Sequence, residues 1–515
     1  MRSDIFELNG RVTGVGTLVK NKIARALPSN YWSSTENSNN NSWNINFSNG
    51  SFNNNNKNNN NQVRGVVALS EKVLEEWVDA YLDCCRNKKS SPQCIEYRIR
   101  YEDDLYSLAR EVLERRYKPT TSFCFVVIRP RYREVFAAAF RDRIVQHWVC
   151  MRLLPAFEAR FRAQGDVSFN CRKGYGSMVA VDRLEDAIVR QSENYTRDTW
   201  IGKFDLRAFF MSVDRQLLLE LLVPFIKDTC QGEDMDTLLY LVEVIVRHRP
   251  HEDCDKRSPS ALWDRLPPSK SLFHAKPDVG MPIGNFTSQQ FANFYLSFLD
   301  DFILGLCRFY EVEYVRFVDD FVLVGEKEAI QTIVYNVKNY LKSRLHLDLH
   351  DDKVYLQYVT KGVKFVGQVI RPGRRYTSNV TIGGLVDKLR VTDMICRRID
   401  REGRSVELLY ALDRNVASLN SYMGFLVHTN SYTVRRNRFT RSPWFWCCCF
   451  IKGKFRVVKL KKRYIYRFYL LKKEKNEYSY KTDRKRSSRN GDRDRIIIGK
   501  KSSGHQFRRG RKRRR

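Results

Sequence analysis

Apolar residues recur every three or four positions along 71–86 and again along 102–117, where Leu105, Leu108, Val112 and Leu113 share one helix face. The run at 123–129 is short and rich in β-branched and aromatic residues, which predicts a strand, and 136–148 predicts a helix with a basic edge. Helical spacing returns at 179–190, 223–247, 290–306, 329–345, 385–399 and 407–425. Between these segments, 349–358 reads as a strand and 362–370 as a hairpin.

One pattern organises the rest. Tyr314-Val-Arg-Phe-Val-Asp-Asp-Phe-Val-Leu-Val-Gly325 is two apolar runs with a pair of acids between them, each run too short for a helix. It predicts a strand, a tight turn at Asp319-Asp320 and a returning strand. The chain has three other Asp-Asp pairs, and they calibrate the signal: Asp103-Asp104 and Asp300-Asp301 lie in helical patterns, and Asp351-Asp352 in a polar turn. Only Asp319-Asp320 sits inside an apolar hairpin, where a buried acid costs several kcal/mol without a cationic partner. A second acid has a matching setting upstream. Trp200-Ile-Gly-Lys-Phe-Asp205 reads as a strand ending at Asp205, followed by a turn and a helix that begins after Asp214, which suits a helix cap. Acids at the ends of two apolar strands can converge, and hard oxygen ligands converging this way suit Mg²⁺ and phosphoryl transfer.

Composition narrows the class. The 515 residues carry a formal net charge of +33, more than solubility requires, which points to a polyanionic partner. The excess concentrates at the end: residues 451–515 hold 27 Lys or Arg against 5 Asp or Glu, and 444–463 alternates aromatics with cations. The thirteen cysteines include no Cys-x-x-Cys pair, and three in a row at Cys447-Cys448-Cys449 cannot wrap one tetrahedral ion, so neither a disulfide framework nor a zinc ribbon is expected. No run approaches the roughly 18 apolar residues of a membrane span. The expectation is a soluble chain of a reducing compartment, with no membrane partner.

Two glycine-punctuated turns bear on ligand binding. In Phe169-Asn-Cys-Arg-Lys-Gly-Tyr-Gly-Ser177, Arg172 and Lys173 precede glycines that let backbone amides approach phosphate oxygens, a combination that suits a triphosphate but equally a charged surface turn. In Gly280-Met-Pro-Ile-Gly-Asn-Phe-Thr-Ser-Gln289, small and polar groups lead into a helix where a base pair or sugar could lie flat. Residues 37–61 contain 15 Asn and are expected to be a disordered polar segment with no packed core.

In this order the motifs resemble those of a reverse transcriptase over 120–430, with Asp205 in the first catalytic motif and Phe317-Val-Asp-Asp320 in place of the Tyr-x-Asp-Asp box. The finer resemblance is to the reverse transcriptases of diversity-generating retroelements. It rests on Arg141-Asp-Arg-Ile-Val145, Leu266-Pro-Pro-Ser-Lys-Ser-Leu-Phe273 and Ile283-Gly-Asn-Phe-Thr-Ser-Gln289, where most relatives have Gln-Gly at the positions of Ile283-Gly284. The resemblance implies an α+β right-hand polymerase: fingers and palm with an antiparallel sheet at 70–375, a helical thumb at 376–430, and a basic C-terminal region and disordered tail at 431–515. It also implies that 1–69 is a translated template repeat, Asn-rich because asparagine codons begin with two adenines.

The same resemblance assigns roles. Asp205, Asp319 and Asp320, with the Leu206 carbonyl, would hold two Mg²⁺, with Mn²⁺ as the alternative ion. Phe210 would exclude a 2′-hydroxyl, Arg172 and Lys173 would hold the triphosphate, Lys353 would serve the departing pyrophosphate, and Gly367 would sit at the primer grip. Ile283, Gly284 and Gln289 would face the nascent base pair, and an apolar Ile283 implies errors opposite template adenines. Implied partners are an RNA template, a DNA primer and its cDNA, deoxynucleoside triphosphates and a small basic accessory protein, in the cytoplasm of a prokaryote or encoded by a phage. Competing readings are a retron or group II intron enzyme, or an RNA-binding derivative without catalysis.

Overall fold

The computed structural model describes residues 69–466, except 70, 87, 89–90, 129–130 and 233, together with the backbone of three strands nearer the N-terminus. Those strands, β1 (Asn30–Glu36), β2 (Asn41–Asn46) and β3 (Ser51–Asn56), form an antiparallel sheet in the order β1-β2-β3. This departs from the structureless segment expected there. A ladder needs only backbone donors and acceptors, which Asn does not block, and Asn49-Gly50 between β2 and β3 is a hairpin signal that the low-complexity reading overlooked. The basic tail expected to be disordered, from 467 onward, lies outside the described residues.

The chain divides into two compact units between Gln357 and Tyr358. The first opens with helices α1 (Glu71–Cys85), α2 (Pro92–Ile99) and α3 (Tyr101–Leu113). A hairpin follows, β4 (Ser122–Val127) and β5 (Arg133–Ala137), then the long helices α4 (Phe140–Ala163) and α5 (Ser177–Gln191). Next come β6 (Trp200–Asp205), the single turn α6 (Phe209–Ser212), α7 (Arg215–Thr229) and α8 (Met235–Arg247). The continuous helix expected over 223–247 is therefore two, broken around Gly232, whose φ of +148° no helix accommodates. A short strand β7 (Cys254–Lys256) pairs parallel with β4, and the turn α9 (Ser260–Trp263) leads toward α10 (Phe286–Tyr310). Then come β8 (Glu313–Phe317), β9 (Asp320–Gly325), α11 (Lys327–Arg344) and β10 (Tyr355–Tyr358).

The central sheet has the order β10-β6-β9-β8. In β9, Phe321, Val322, Leu323 and Val324 are all fully buried. That continuous apolar run is what a strand covered on both faces requires, and α5 and α11 both pack on it. The core continues through α10, where Phe291, Phe294, Tyr295, Leu296, Leu299 and Ile303 are buried.

The second unit holds an antiparallel sheet of β11 (Val363–Phe365), β12 (Gln368–Arg371) and β13 (Arg374–Thr377), then α12 (Asn379–Glu402) and α13 (Val406–Leu426). It goes on through α14 (Tyr432–Thr440), α15 (Phe445–Cys448) and the hairpin β14 (Cys449–Lys452) and β15 (Val457–Leu460). Phe439, Phe445, Cys448 and Val458 share one core with Leu409, Leu412 and Leu419 of α13. The aromatics that the sequence places in a basic region therefore pack inward onto these helices.

Asp214 acts as a cap, its side chain accepting from the amides of Gln216 and Leu217 at 2.9 and 3.0 Å. Asp214→Ala is expected to lower stability by about 1 kcal/mol, read as a shifted denaturant midpoint with an unchanged slope.

Candidate active site

A two-residue link decides where the acids go. β6 pairs antiparallel with β9 in unbroken register from Trp200 opposite Gly325 to Asp205 opposite Asp320, and β8 pairs with β9 down to Phe317 opposite Asp320. Only Val318 and Asp319 span the turn. Val318 has φ +59°, the reversed opening that lets a two-residue turn follow the strand twist. A β-branched residue resists that conformation at a cost on the order of 1–3 kcal/mol. Residues directly opposed on antiparallel strands have Cα atoms about 4.5–5.5 Å apart, so Asp205 and Asp320 are neighbours and Asp319 is next in line. The Leu206 amide donates to the Asp319 carbonyl at 3.2 Å, and the His350 amide to the Asp205 carbonyl at 2.9 Å. Beneath the acids, Phe204 and Phe321 stack across the strands with centroids 5.2 Å apart.

The lysines at the site are specific. Lys203 pairs with Asp320 at 3.2 Å, and Lys353 donates to Asp205 from the end of a single 3-10 turn, Asp351–Lys353, rather than from the strand expected to carry it. Burial first, then the charges of Asp205 and Asp320, push the Asp319 carboxyl up to about 6. Burial also raises Asp320, with Lys203 opposing it and Asp205 adding to it. Three carboxyl groups are gathered at neighbouring backbone positions, and burial together with mutual repulsion makes charge costly on two of them. Such hard oxygen donors fit Mg²⁺. Among the described residues no three His, Cys, Asp or Glu side chains already gather on one point, because Asp205 and Asp320 are each turned toward a lysine.

The cation pair expected to hold a triphosphate is split. Arg172 is buried, with its guanidinium bound to Glu158 at 2.9–3.1 Å, to Asp166 at 2.6 Å and to the Ser168 carbonyl at 2.8 Å, and stacked on Tyr175 at 3.9 Å. Its guanidinium is engaged by these protein acceptors. Lys173 is exposed. Just before them the chain makes an isolated bridge, Ser168 to Arg316.

Phe210 is half-buried in α6, its ring edge-on to Phe209 at 5.3 Å, and its carbonyl accepts from the Met281 amide at 2.7 Å. Two residues on, the Ile283 carbonyl accepts from the Phe136 amide of β5 at 2.8 Å. Phe210, Ile283 and Gly284 are therefore brought together with the β4–β5 hairpin. Gln289 is exposed on the first turn of α10, where the Cys171 thiol reaches its side-chain oxygen at 3.5 Å. In the second unit, Gly367 has φ +83° in the β11–β12 turn, and its carbonyl accepts from the Ser378 amide at 3.3 Å.

Arg133, at the start of β5, escaped the sequence reading. It is exposed, and its charge acts on Asp319, opposing the upward shift. The signal was present in Arg131-Tyr-Arg133, cations at the head of an apolar strand. Next to it, buried Glu134 accepts from the Ser271 hydroxyl at 2.5 Å and the Leu272 amide at 2.9 Å, so the Leu266–Phe273 motif anchors β5. Asp142 of the Arg141–Val145 motif is likewise structural, accepting from Tyr117 and Thr120.

No family model matches the chain. Protein YkfC of Escherichia coli (strain K12) is 24% identical over 310 residues, covering 53% of this chain and 73% of that protein. Among solved structures, apo telomerase from Candida tropicalis is similar at 11% identity and a TM-score of 0.39, covering 64% of this chain and 60% of that one. Telomerase from Candida albicans, solved with a fragment of telomeric RNA, is similar at 13% identity and a TM-score of 0.38, covering 64% and 57%. The chain thus spans less than two thirds of either telomerase.

Gly284 has φ +123°, and a Cβ there would lie 2.4 Å from the Phe136 carbonyl oxygen. Gly284→Ala is expected to destabilise by about 1–3 kcal/mol, measured as a lowered unfolding midpoint.

Proposed function

We propose that the chain is an RNA-directed DNA polymerase of the diversity-generating kind, copying an RNA template into cDNA and erring at template adenines. The observation that carries the polymerase reading is the register that sets Asp205 opposite Asp320 with Asp319 in the adjoining β8–β9 turn, where burial and the neighbouring acids make its negative charge costly. A protein that only bound RNA would gain nothing from holding these carboxyls against that cost. The finer reading rests on the motif resemblance, above all on Ile283-Gly284.

Asp205, Asp319 and Asp320 would hold Mg²⁺, which when bound supplies activation of a 3′-hydroxyl and neutralises the leaving pyrophosphate. The remaining steps fall to the chain itself. Arg133 and Lys173 are exposed cations that could accept a triphosphate. Lys353, which pairs with Asp205, would serve the leaving group. Phe210 narrows the space beside the sugar, selecting deoxynucleotides. Ile283 offers no hydrogen bond to a base pair, so discrimination there falls to shape alone.

The deciding assay is extension of a primed RNA with deoxynucleotides and Mg²⁺, with misincorporation read by template base. Asp319→Asn is expected to reduce extension by roughly a thousandfold or more while RNA binding is retained; full extension by this variant rejects the metal assignment. Errors spread evenly over the four template bases reject the adenine reading. Lys173→Ala is expected to raise the KM for nucleotide. Arg172→Ala instead is expected to cost roughly 2–3 kcal/mol of stability by stranding Glu158 and Asp166, measured by thermal unfolding.

A further inference from the structure

Arg316 lies two residues before the turn and is 1% exposed, paired with a fully buried Asp300. Its Nε and Nη2 donate to the two Asp300 oxygens at 2.7 and 2.5 Å. The third nitrogen, Nη1, donates to Asn293 Oδ1 at 3.0 Å and to the Val318 carbonyl at 3.1 Å. Tyr314 donates its hydroxyl to Asp300 at 2.7 Å, and Asn293 donates onward to the Asn170 carbonyl at 3.2 Å. The Arg316 backbone is held as well, its amide donating to the Val167 carbonyl at 2.8 Å and its carbonyl accepting from the Phe169 amide at 3.2 Å.

Stability alone does not require a buried ion pair at this place, since an apolar pair of similar volume often serves as well. What an apolar pair cannot do is donate to the carbonyl of Val318, the β-branched residue held at φ +59°. Left to itself that residue would relax toward negative φ and re-aim the next two side chains. We propose that Arg316 is a positioning residue: Nη1, kept in line by Asp300 and Asn293 of α10, locks the reversed turn so that Asp319 and Asp320 face Asp205. This deepens the polymerase reading and rests on it. Arginine is the residue that can do this, because a planar fork reaches three acceptors at fixed angles and an ammonium on a flexible stem does not.

The test is Arg316→Lys, which keeps a cation for Asp300 but loses the fork, compared with Arg316→Lys combined with Val318→Gly, where glycine takes positive φ freely. Steady-state primer extension is measured alongside RNA affinity and thermal unfolding. Arg316→Lys is expected to lower kcat by about a hundredfold, with the KM for nucleotide and the RNA affinity changed less than about threefold. Adding Val318→Gly is expected to recover at least about tenfold of the lost kcat. A kcat near wild type for Arg316→Lys overturns the proposal. So does a loss that Val318→Gly does not recover and that RNA affinity shares, which marks a purely structural pair. If Arg316→Lys does not fold, Asn293→Ala is read instead: a severalfold lower kcat at constant KM supports the lock, and an unchanged kcat rejects it. A wild-type chain that extends no primer overturns the polymerase reading itself, before any variant is compared.

Discussion

Everything in the first unit depends on one antiparallel register, that of β6 against β9. Side chains on a strand alternate faces, so a slip of one residue would send Asp320 to the opposite side of the sheet from Asp205. Two features oppose such a slip. The two-residue turn at Val318 and Asp319 fixes β9 against β8, and the Phe204–Phe321 pair fixes the rung next to the acids. The hydrophobic core is in this sense the device that measures the distance between the carboxylates.

Around that sheet, charge is placed inside the fold as well as on it. Arg172 between Glu158 and Asp166, and Arg316 on Asp300, are buried arginines serving one purpose each: tying a loop to a helix, or a turn to a helix. The exposed cations are different residues, Arg133 and Lys173 among them. Basic composition therefore overstates how much of the charge in the body of the chain is presented at its surface.

What could be read from the sequence were features whose signal is local. The hairpin around Asp319-Asp320, the strand ending at Asp205 and the cap at Asp214 each announce themselves within a dozen residues, by period and by turn chemistry. What could not be read depended on long-range pairing. Arg172 looks like any surface cation until Glu158 and Asp166 are folded against it. Asp300 looked uninformative in its helical pattern, yet it anchors the residue that holds the turn. The spacing around Lys353 predicts a strand, because Asp351-Asp352 gives no sign of the single 3-10 turn there. The packing of Phe439 and Phe445 onto α13 was hidden by the cations that surround them in sequence.

The segment from Gly280 to Gly284 is stitched on both sides by its backbone, Met281 to Phe210 and Ile283 to Phe136, and its last glycine accepts no side chain. Neither stitch uses the side chain of residue 283. Its chemistry can therefore vary while the scaffold around it stays put, so that a change of side chain there leaves both backbone stitches intact.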